Sequence, residues 1–495
     1  MDKDHQFYRA VCARDARFDG VFFTGVKTTG IYCRPICSAK TPKESSCNFY
    51  ANAASAEAAG FRPCLRCRPE LAPYDVQENL AYAILKRMEQ VGADGVSLAQ
   101  LAQQVGLSER QMRRVVVDTF GVPPIALLQT QRLLFAKKLL QETALSVQEI
   151  AYAAGFSSVR RLNALFLSQY KKTPSSLRQA NNKENGAWLE LKLAYRPPLA
   201  WSELLRYLHG RAMPGIEWIN LNEHGGSYAR TLQFGEQVGC VHVFNDAERA
   251  HLKLRISTHL HAHVRTILAS LRHLFDLDAN PLVIQAHLAQ TPHLAQQIAR
   301  TPGLRLPGCV SPFELAIRTI IGQQVSVAGA TTVMARLIAA FGHPIETELE
   351  HLHHVFPSPE QLSQVDIGAI AAIGMPFKRA QTIVSFAQFV AQGGFQIPVG
   401  LPLQDFIHRL CELPGIGPWT AQYIAMRAFR YPNAFPAGDL GLQKAAADEH
   451  IRLTEKQLEQ RSQAWAPWRS YAAILLWQSL STVGTVSTET KESTA

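Results

Sequence analysis

The chain has 495 residues, of which 47% are hydrophobic and 18% charged, the composition of an ordinary globular protein rather than a fibrous or disordered one. This length is too great for a single core, so we expect two to four domains. No apolar run reaches the ~18 residues of a membrane span, and the first ten residues, MDKDHQFYRA, are polar. We therefore expect neither a membrane span nor a signal peptide, and a cytoplasmic protein.

Positive charge is concentrated in the first third of the chain. Residues 1–180 contain 24 Lys and Arg against 15 Asp and Glu, whereas the rest contains 26 against 25. A basic segment favours a polyanionic partner, because Lys and Arg supply nonspecific affinity for phosphates. A solvated basic surface would explain the charge equally well.

Most of the nine cysteines lie within residues 12–67, which points to metal rather than disulfides in a long cytoplasmic chain. A CxxxC at 33–37 and a CxxC at 64–67 are separated by 26 residues. Two such pairs converge naturally on one tetrahedral zinc with thiolate ligands. From spacing alone a structural zinc is the commoner case. Cys12 and Cys47 belong to neither pair and are interpreted as structural.

The surroundings of these cysteines resemble the N-terminal domain of the adaptive-response regulator Ada. The matching stretches are TTGIYCRP at 28–35, FYANA at 49–53 and AGFRPC at 59–64. The resemblance implies a zinc site in residues 1–75 whose nucleophilic cysteine takes a methyl group from a DNA methylphosphotriester, once per molecule. By position the nucleophile is Cys33, and the zinc ligands are Cys33, Cys37, Cys64 and Cys67.

Residues 76–180 have helical periodicity and contain two helix-turn-helix units. One lies at 98–111 and the other at 146–158, with a linking helix predicted around Leu127–Leu140. Together with the ending KKTPSSLR at 171–178, they resemble the AraC-type DNA-binding domain. Recognition helices should begin near Ser108 and Ser157 and present basic residues to a major groove, namely Arg110, Arg113, Arg114, Arg160 and Arg161. The sequence does not separate base-reading from phosphate-binding residues among them.

A polar stretch, NNKENG at 181–186, is predicted as a linker. Residues 187–290 then alternate as strands do, as in LELKL at 189–193, and the pattern becomes helical from Pro312 onward. We therefore predict a β-rich α+β subdomain at 187–300 followed by an all-α domain at 301–482.

A short glycine turn near the end of the chain, LPGIGPWTA at 413–421, predicts a helix-hairpin-helix with the first helix ending at Leu413. Backbone amides and a helix N-terminus at Gly415 and Gly417 can hold a DNA phosphate without reading sequence. About twenty residues later stands Asp439. The glycine turn, the aspartate and the distance between them together resemble the helix-hairpin-helix superfamily of base-excision DNA glycosylases. In that superfamily this aspartate is the catalytic carboxylate.

Further stretches from residue 188 onward resemble the AlkA-type 3-methyladenine DNA glycosylase II, among them LPGC at 306–309, IGQQVS at 321–326 and WAPWRSY at 465–471. The resemblance implies base flipping, with Asp439 stabilising oxocarbenium character at C1′. Trp419, Tyr423 and Trp477 match the family's pocket aromatics, although aromatics at helical spacing are more often core. Gln324 matches the wedge that fills the hole left by the flipped base.

Three further features narrow the expected chemistry. Trp419 stands where strand-cutting relatives carry a Schiff-base lysine, so we expect a monofunctional glycosylase without a lyase step. The four-cysteine iron–sulfur signature and the Pro-Cys-His-Arg motif of alkylguanine methyltransferases do not occur. Gly438 and Leu440 flank the aspartate where close relatives carry an acid and an aromatic, which leaves the pocket shape and substrate range open.

The sequence thus predicts a multidomain α+β protein: a small four-cysteine zinc domain, an all-α double helix-turn-helix of the AraC type, a β-rich α+β subdomain and an all-α helix-hairpin-helix glycosylase domain. The predicted function is alkylation-damage response, with release of 3-methyladenine and related bases from double-stranded DNA. We expect transcriptional activation through an operator and RNA polymerase, by a monomer. Two alternatives stay open: a zinc-containing regulator whose glycosylase fold only binds DNA, and a glycosylase that its first 180 residues merely target to DNA.

Overall fold

The computed structural model describes residues 3–72, 81, 84–85, 87–88, 97–178, 186–222, 225–396, 401–447 and 451–489. The predicted domain boundary at 75/76 and residues 181–185 of the predicted linker lie outside this part of the chain. Within it, no helix is both long and apolar enough to cross a membrane.

The cysteine-rich segment folds around a four-stranded sheet of order β3-β1-β2-β4. β1 pairs antiparallel with β2 and β3, and β2 pairs parallel with β4. β1 begins at Phe23, after Gly20, whose φ of +82° interrupts the extended backbone. The elements are α1 (Lys3–Ala13), β1 (Phe23–Val26), β2 (Ile31–Cys33), β3 (Cys47–Tyr50), α2 (Ala53–Ala58) and β4 (Arg62–Pro63).

The next segment contains both predicted helix-turn-helix units. Their helices are α3 (Leu98–Gln104), α4 (Glu109–Phe120), α5 (Pro124–Glu142), α6 (Val147–Ala153) and α7 (Val159–Tyr170). The first recognition helix starts as expected, with Ser108 in a capping box. The second starts one residue later than predicted, because the Ser158 hydroxyl, rather than that of Ser157, accepts the cap hydrogen bond from the Arg161 amide.

The β-rich segment is a five-stranded antiparallel sheet of order β5-β9-β8-β7-β6. The prediction of strands throughout 187–290 is wrong at two places. Helices occupy residues 201–209 and the region from Val264 onward. Buried residues in that region recur at three- and four-residue spacing, which favours a helix. The elements are β5 (Trp188–Ala194), α8 (Trp201–His209), β6 (Glu217–Asn220), β7 (Ser227–Phe234), β8 (Gln237–Asp246), β9 (His251–Ser257) and α9 (Val264–Leu274).

The remainder is mainly helical and encloses one large apolar core. Its helices are α10 (Pro281–Leu288), α11 (Pro292–Arg300), α12 (Pro312–Ile321), α13 (Val327–Phe341), α14 (Pro359–Gln364), α15 (Ile367–Ala372), α16 (Phe377–Ala391), α17 (Leu403–Cys411), α18 (Pro418–Ala428), α19 (Leu440–Ala445), α20 (Glu455–Ser462) and α21 (Arg469–Glu489). The short strands β10 (His343–Pro344) and β11 (His354–Val355) pair with each other.

The cysteine-rich, helix-turn-helix and β-rich segments pack against one another. A single apolar cluster runs from Leu133 in the helix-turn-helix segment through the five-stranded sheet and α9 to Leu277. The cysteine-rich segment touches the same body, because Arg196 Nε donates to the Asp19 carbonyl over 2.9 Å. The cysteine-rich segment and the β-rich segment are therefore in direct contact in the folded chain.

Candidate functional site

The four predicted zinc ligands lie together at one end of the small sheet. The parallel pairing of β2 with β4 aligns the strand ends, so that Cys33 closes β2 and Cys64 follows β4 directly. Cys37 and Cys67 lie in the turns that follow each of them. The four Sγ atoms are all within 4.8 Å of one another. Zn–S bonds of about 2.3 Å in a tetrahedron place sulfurs about 3.8 Å apart, so the site fits zinc.

One basic residue, Arg34, contacts the four-cysteine cluster. The Arg34 amide donates to Cys67 Sγ over 3.3 Å, and the Arg34 side chain reaches the Cys67 carbonyl over 3.0 Å. That side chain is 7% exposed and forms an ion pair with Asp19. The Arg34 side chain is therefore held between the Cys67 carbonyl and the Asp19 carboxylate. Among the described residues, no other group of three or more Cys, His, Asp or Glu could hold a metal ion.

The predicted helix-hairpin-helix is present between α17 and α18. α17 ends at Cys411, two residues before the predicted end, because Pro414 disfavours helical geometry at Leu413. Gly415 has a φ of +82°, and a Cβ there would lie 2.1 Å from Thr382 Oγ1, so the turn requires glycine. Gly417 is the N-cap of α18.

Asp439 is held in one orientation by three N–H donors. As the N-cap of α19, its Oδ1 accepts from the Leu442 amide over 2.9 Å. The same oxygen accepts from Trp477 Nε1 over 2.9 Å, and Oδ2 accepts from Trp419 Nε1 over 3.2 Å. Two aromatic residues predicted for the pocket therefore bind the predicted catalytic carboxylate directly.

The three predicted pocket aromatics form one cluster with partly exposed rings. Trp419 and Tyr423 stack with ring centroids 5.5 Å apart at an interplanar angle of 18°. Trp477 is tilted by 57° against Tyr423, with centroids 6.0 Å apart. Tyr423 and Trp477 pack against the core, and all three residues are only partly buried, so their rings can also face a planar ligand.

Two residues that the sequence reasoning missed lie behind Tyr423. The Tyr207 hydroxyl is 3.2 Å from the Tyr423 hydroxyl, and Arg427 Nη1 donates to both, over 3.1 and 2.8 Å. Arg427 was detectable, since it lies one helical turn after Tyr423 on the same face. Tyr207 comes from α8, more than two hundred residues away, and nothing in the local sequence indicates it.

The titration of this pair is set by its neighbours. Burial raises the pKa of Tyr423, but the guanidinium groups of Arg427 and Arg211 and the hydrogen bond from Tyr207 outweigh it and lower that pKa to about 7. Burial raises the pKa of Tyr207 to about 12. Of the two hydroxyls, that of Tyr423 is therefore the more acidic.

Gln324 lies at the tip of the turn between α12 and α13, exposed and with a φ of +56°. This left-handed conformation is uncommon for a residue other than glycine. Its neighbour Gln323 connects the turn to the hairpin, because Gln323 Nε2 donates to the Gly415 carbonyl over 2.9 Å. The predicted wedge and the predicted phosphate-binding turn are thus adjacent.

The predicted recognition helices carry their basic residues on the surface. All five are exposed, and one of them, Arg113, pairs with Glu109 on its own helix over 3.6 Å. The exposed residues are Arg110, Arg113, Arg114, Arg160 and Arg161. The helices themselves are anchored by apolar residues on the opposite face, such as Met112 and Leu162.

Four family descriptions match successive parts of the chain. They are the metal binding domain of Ada at residues 6–70, a helix-turn-helix domain at 101–180, the AlkA N-terminal domain at 190–311 and the HhH-GPD superfamily base excision DNA repair protein at 317–469. These matches confirm the resemblances and the fold class predicted from sequence. With the four-cysteine cluster, they confirm the predicted zinc site.

Whole-chain similarity extends to curated proteins. The chain is 36% identical over 489 residues to the "Probable bifunctional transcriptional activator/DNA repair enzyme AlkA" of Mycobacterium tuberculosis H37Rv, covering 97% of both chains. It is 33% identical to "DNA-3-methyladenine glycosylase 2" of Escherichia coli K12, covering 58% of this chain and 95% of that protein. Identity to the "Bifunctional transcriptional activator/DNA repair enzyme Ada" of Escherichia coli K12 is 34%, over 54% of this chain and 69% of that one.

Proposed function

The chain belongs to the family of bifunctional transcriptional activator/DNA repair enzymes with an Ada-type metal-binding domain and an AlkA-type glycosylase, and on that premise we propose that it both senses and repairs DNA alkylation. The glycosylase half releases 3-methyladenine and related alkylated bases from double-stranded DNA. The other half takes a methyl group onto Cys33 and activates transcription. The observation that carries the repair function is the Asp439 carboxylate, fixed by the indoles of Trp419 and Trp477.

Base release begins with DNA bound at the hairpin. The amides at Gly415 and Gly417 and the N-terminus of α18 hold a phosphate of the damaged strand. Gln324 enters the duplex where the damaged nucleotide has flipped out. Its left-handed backbone is the kind of local strain that accompanies such roles.

The flipped base then stacks against Trp419, Tyr423 and Trp477. A base alkylated at N3 or N7 is cationic, so aromatic faces attract it, and it is already a good leaving group. The C1′–N bond breaks with both electrons leaving on the base, which departs neutral. Asp439 stabilises the positive charge that develops at C1′. Water adds to C1′, and its proton passes to solvent.

The reaction stops at the abasic site. A lyase step needs an amine that can form a Schiff base at C1′. The matching position is Trp419, whose indole nitrogen is a donor only and is engaged with Asp439. The proposed enzyme is therefore a monofunctional glycosylase.

Methyl uptake uses the sulfur cluster. When bound by Cys33, Cys37, Cys64 and Cys67, zinc keeps the sulfurs deprotonated at neutral pH. Cys33 attacks the methyl carbon of a DNA methylphosphotriester, so that an S–C bond forms and the C–O bond breaks. The phosphodiester leaves with the electron pair of that bond. The methyl group is not removed from the thioether that Cys33 has become, so each molecule reacts once.

Methylation removes one negative charge from the four-sulfur site. Less repulsion of DNA strengthens binding by the neighbouring helix-turn-helix units. The exposed arginines of α4 and α7 then contact an operator, and the bound protein, as a monomer, assists RNA polymerase. Glu142 of the linking helix α5 accepts a hydrogen bond from Arg68, which follows the ligand Cys67, so the sensor and the DNA-binding helices are in direct contact.

The first experiment incubates the purified full-length protein with methylated duplex DNA and identifies the released bases. Release of 3-methyladenine without strand scission supports the proposal. Strand scission would overturn the monofunctional assignment. No release from a folded, DNA-binding protein would overturn the glycosylase function and favour a regulator whose glycosylase fold only grips DNA.

A further inference from the structure

Arg427 carries a buried positive charge behind the aromatic cluster. It is 4% exposed. Its guanidinium donates to two carbonyls, those of Pro307 over 2.5 Å and Gly308 over 2.9 Å, and to the hydroxyls of Tyr207 and Tyr423. None of these four partners in the described structure is a carboxylate. A buried cation without a counter-ion is costly, so an anion beside it is favoured.

The surrounding charges reinforce this imbalance. Tyr423 is faced by Tyr207 and Arg211, by Arg318 on α12 and by Arg427 on its own helix. The nearby carboxylate of Asp439 is bound by the indoles of Trp419 and Trp477. Four arginines and two glutamates line the adjoining cavity, which leaves two positive charges in excess. They are Arg211, Arg230, Arg318 and Arg427, with Glu217 and Glu314. The two glutamates both lie beside Arg230, with Glu314 at 2.8 Å and Glu217 at 3.9 Å.

We propose that Tyr423 acts as a phenolate that makes the pocket select cationic alkylated bases over neutral damaged ones. This inference rests on the proposed glycosylase function and specifies how its pocket discriminates. Tyr207 donates a hydrogen bond to the phenolate oxygen, and Arg427 balances its charge. Tyr423 is thereby a specificity-determining residue rather than a passive stacking surface.

The lowered pKa of Tyr423 agrees with this arrangement, since a value of about 7 lets the phenolate form in neutral solution. The raised pKa of Tyr207, about 12, keeps that residue protonated as the donor. Arg211 lies over the Tyr207 ring, with its guanidinium carbon 3.9 Å from the ring centroid. The same guanidinium lowers the pKa of the neighbouring Tyr423, because its positive charge favours the phenolate.

Ionisation changes what the pocket attracts. With a neutral Tyr423, the two excess positive charges behind the aromatic rings are not compensated and repel a cationic base bound on those rings. With a phenolate, the ring that stacks on Trp419 becomes richer in electrons and attracts the positive base by cation–π interaction. A neutral base gains little from the same change. Discrimination should therefore increase as pH rises through the titration of Tyr423.

The test measures single-turnover release of 3-methyladenine, which is cationic in DNA, and of hypoxanthine, which is neutral, from matched duplexes. Because Asp439 and the DNA-binding elements serve both reactions, effects of pH on these shared steps cancel from the ratio of the two rates. In the wild-type protein we expect this ratio to rise ~3-fold between about pH 6 and about pH 8. In Tyr423→Phe, which keeps the stacking ring, the ratio should not change with pH.

A second readout is independent of activity. Tyrosinate absorbance should show one tyrosine titrating near neutral pH in the wild type and none in Tyr423→Phe. Tyr207→Phe should move that titration to higher pH, because the phenolate loses its donor. Tyr431→Phe is the matched control, since its hydroxyl donates only to the Leu401 carbonyl among the described contacts, and it should leave the titration in place.

A pH-independent ratio in a wild type that releases both bases would overturn the inference, as would a rise that persists in Tyr423→Phe. Absence of the neutral titration from the absorbance would overturn it as well. Failure to release either base would instead count against the proposed glycosylase function. In that case the absorbance still decides whether Tyr423 is ionised.

Discussion

Trp477 donates its indole hydrogen to Asp439, with 2.9 Å between Nε1 and Oδ1. An aromatic residue proposed to hold the base therefore also orients the carboxylate proposed to act on C1′. In the proposed mechanism, base binding and bond cleavage are therefore coupled through one hydrogen bond.

Asp439→Asn should abolish release of 3-methyladenine, because the charge that stabilises C1′ is lost. The fold should persist, since asparagine is as good an N-cap as aspartate for α19. Base release and thermal unfolding are measured on the same preparation. Methyl uptake by Cys33 should be unaffected, and retained base release would refute the catalytic assignment.

Trp477→Phe should lower the rate of base release by ~10-fold, the effect of losing one hydrogen bond to a charged group. Single-turnover rates at saturating enzyme isolate the chemical step. Trp468→Phe is a suitable control, because that indole packs against Tyr471 and has no hydrogen bond to Asp439 among the described contacts. Equal losses in both variants would indicate a general packing defect instead.

Cys33→Ala should abolish transfer of labelled methyl groups from methylphosphotriester DNA and the activation that depends on it. Glycosylase activity should remain, because Asp439 lies in a different part of the fold. Cys47→Ala provides the control, since that sulfur donates to the Lys43 carbonyl and lies outside the cluster. Activation by Cys33→Ala would show that sensing occurs elsewhere.

Gly415→Ala should destabilise the hairpin strongly, because a Cβ would collide with Thr382 Oγ1 and the φ is left-handed. Gly417→Ala meets no atom within 4 Å and should leave stability nearly unchanged. Thermal unfolding compares the two. Similar losses in both variants would contradict the steric account of the turn.

Glu70→Gln should lower the free energy of unfolding by ~3–5 kcal/mol, because it leaves the buried Lys137 ammonium without its counter-ion. Burial raises the pKa of Glu70, but Lys137 and Arg68 outweigh it and hold that pKa below the usual value. The stabilisation is thus present above the unfolded pKa of about 4.3 and is lost as pH falls through the lower folded value.

Denaturant unfolding at several pH values checks this prediction. Glu190→Gln is the control, because its ion pair with Arg255 is about half exposed and should contribute at most ~1 kcal/mol. A comparable loss in both variants would show that burial does not set the size of the effect.

The sequence by itself determined the parts of the molecule that depend on local spacing. The two cysteine pairs, the serine-capped helices of the helix-turn-helix units and the glycine turn before Asp439 are each encoded within a few residues. Their geometry follows from strand pairing, capping and the freedom of glycine. Errors occurred at boundaries, as at Leu413, where a neighbouring proline decided the end of the helix.

Only the tertiary structure decided what lies behind the pocket. Tyr207 reaches Tyr423 from α8, and the excess of arginines arises because several elements meet around one cavity. The contact of Arg196 with the Asp19 carbonyl likewise joins distant parts of the chain. A pKa depends on all charges around a group in space, so no local pattern can encode it. For that reason the sequence predicted the pocket aromatics but not the charges that tune them.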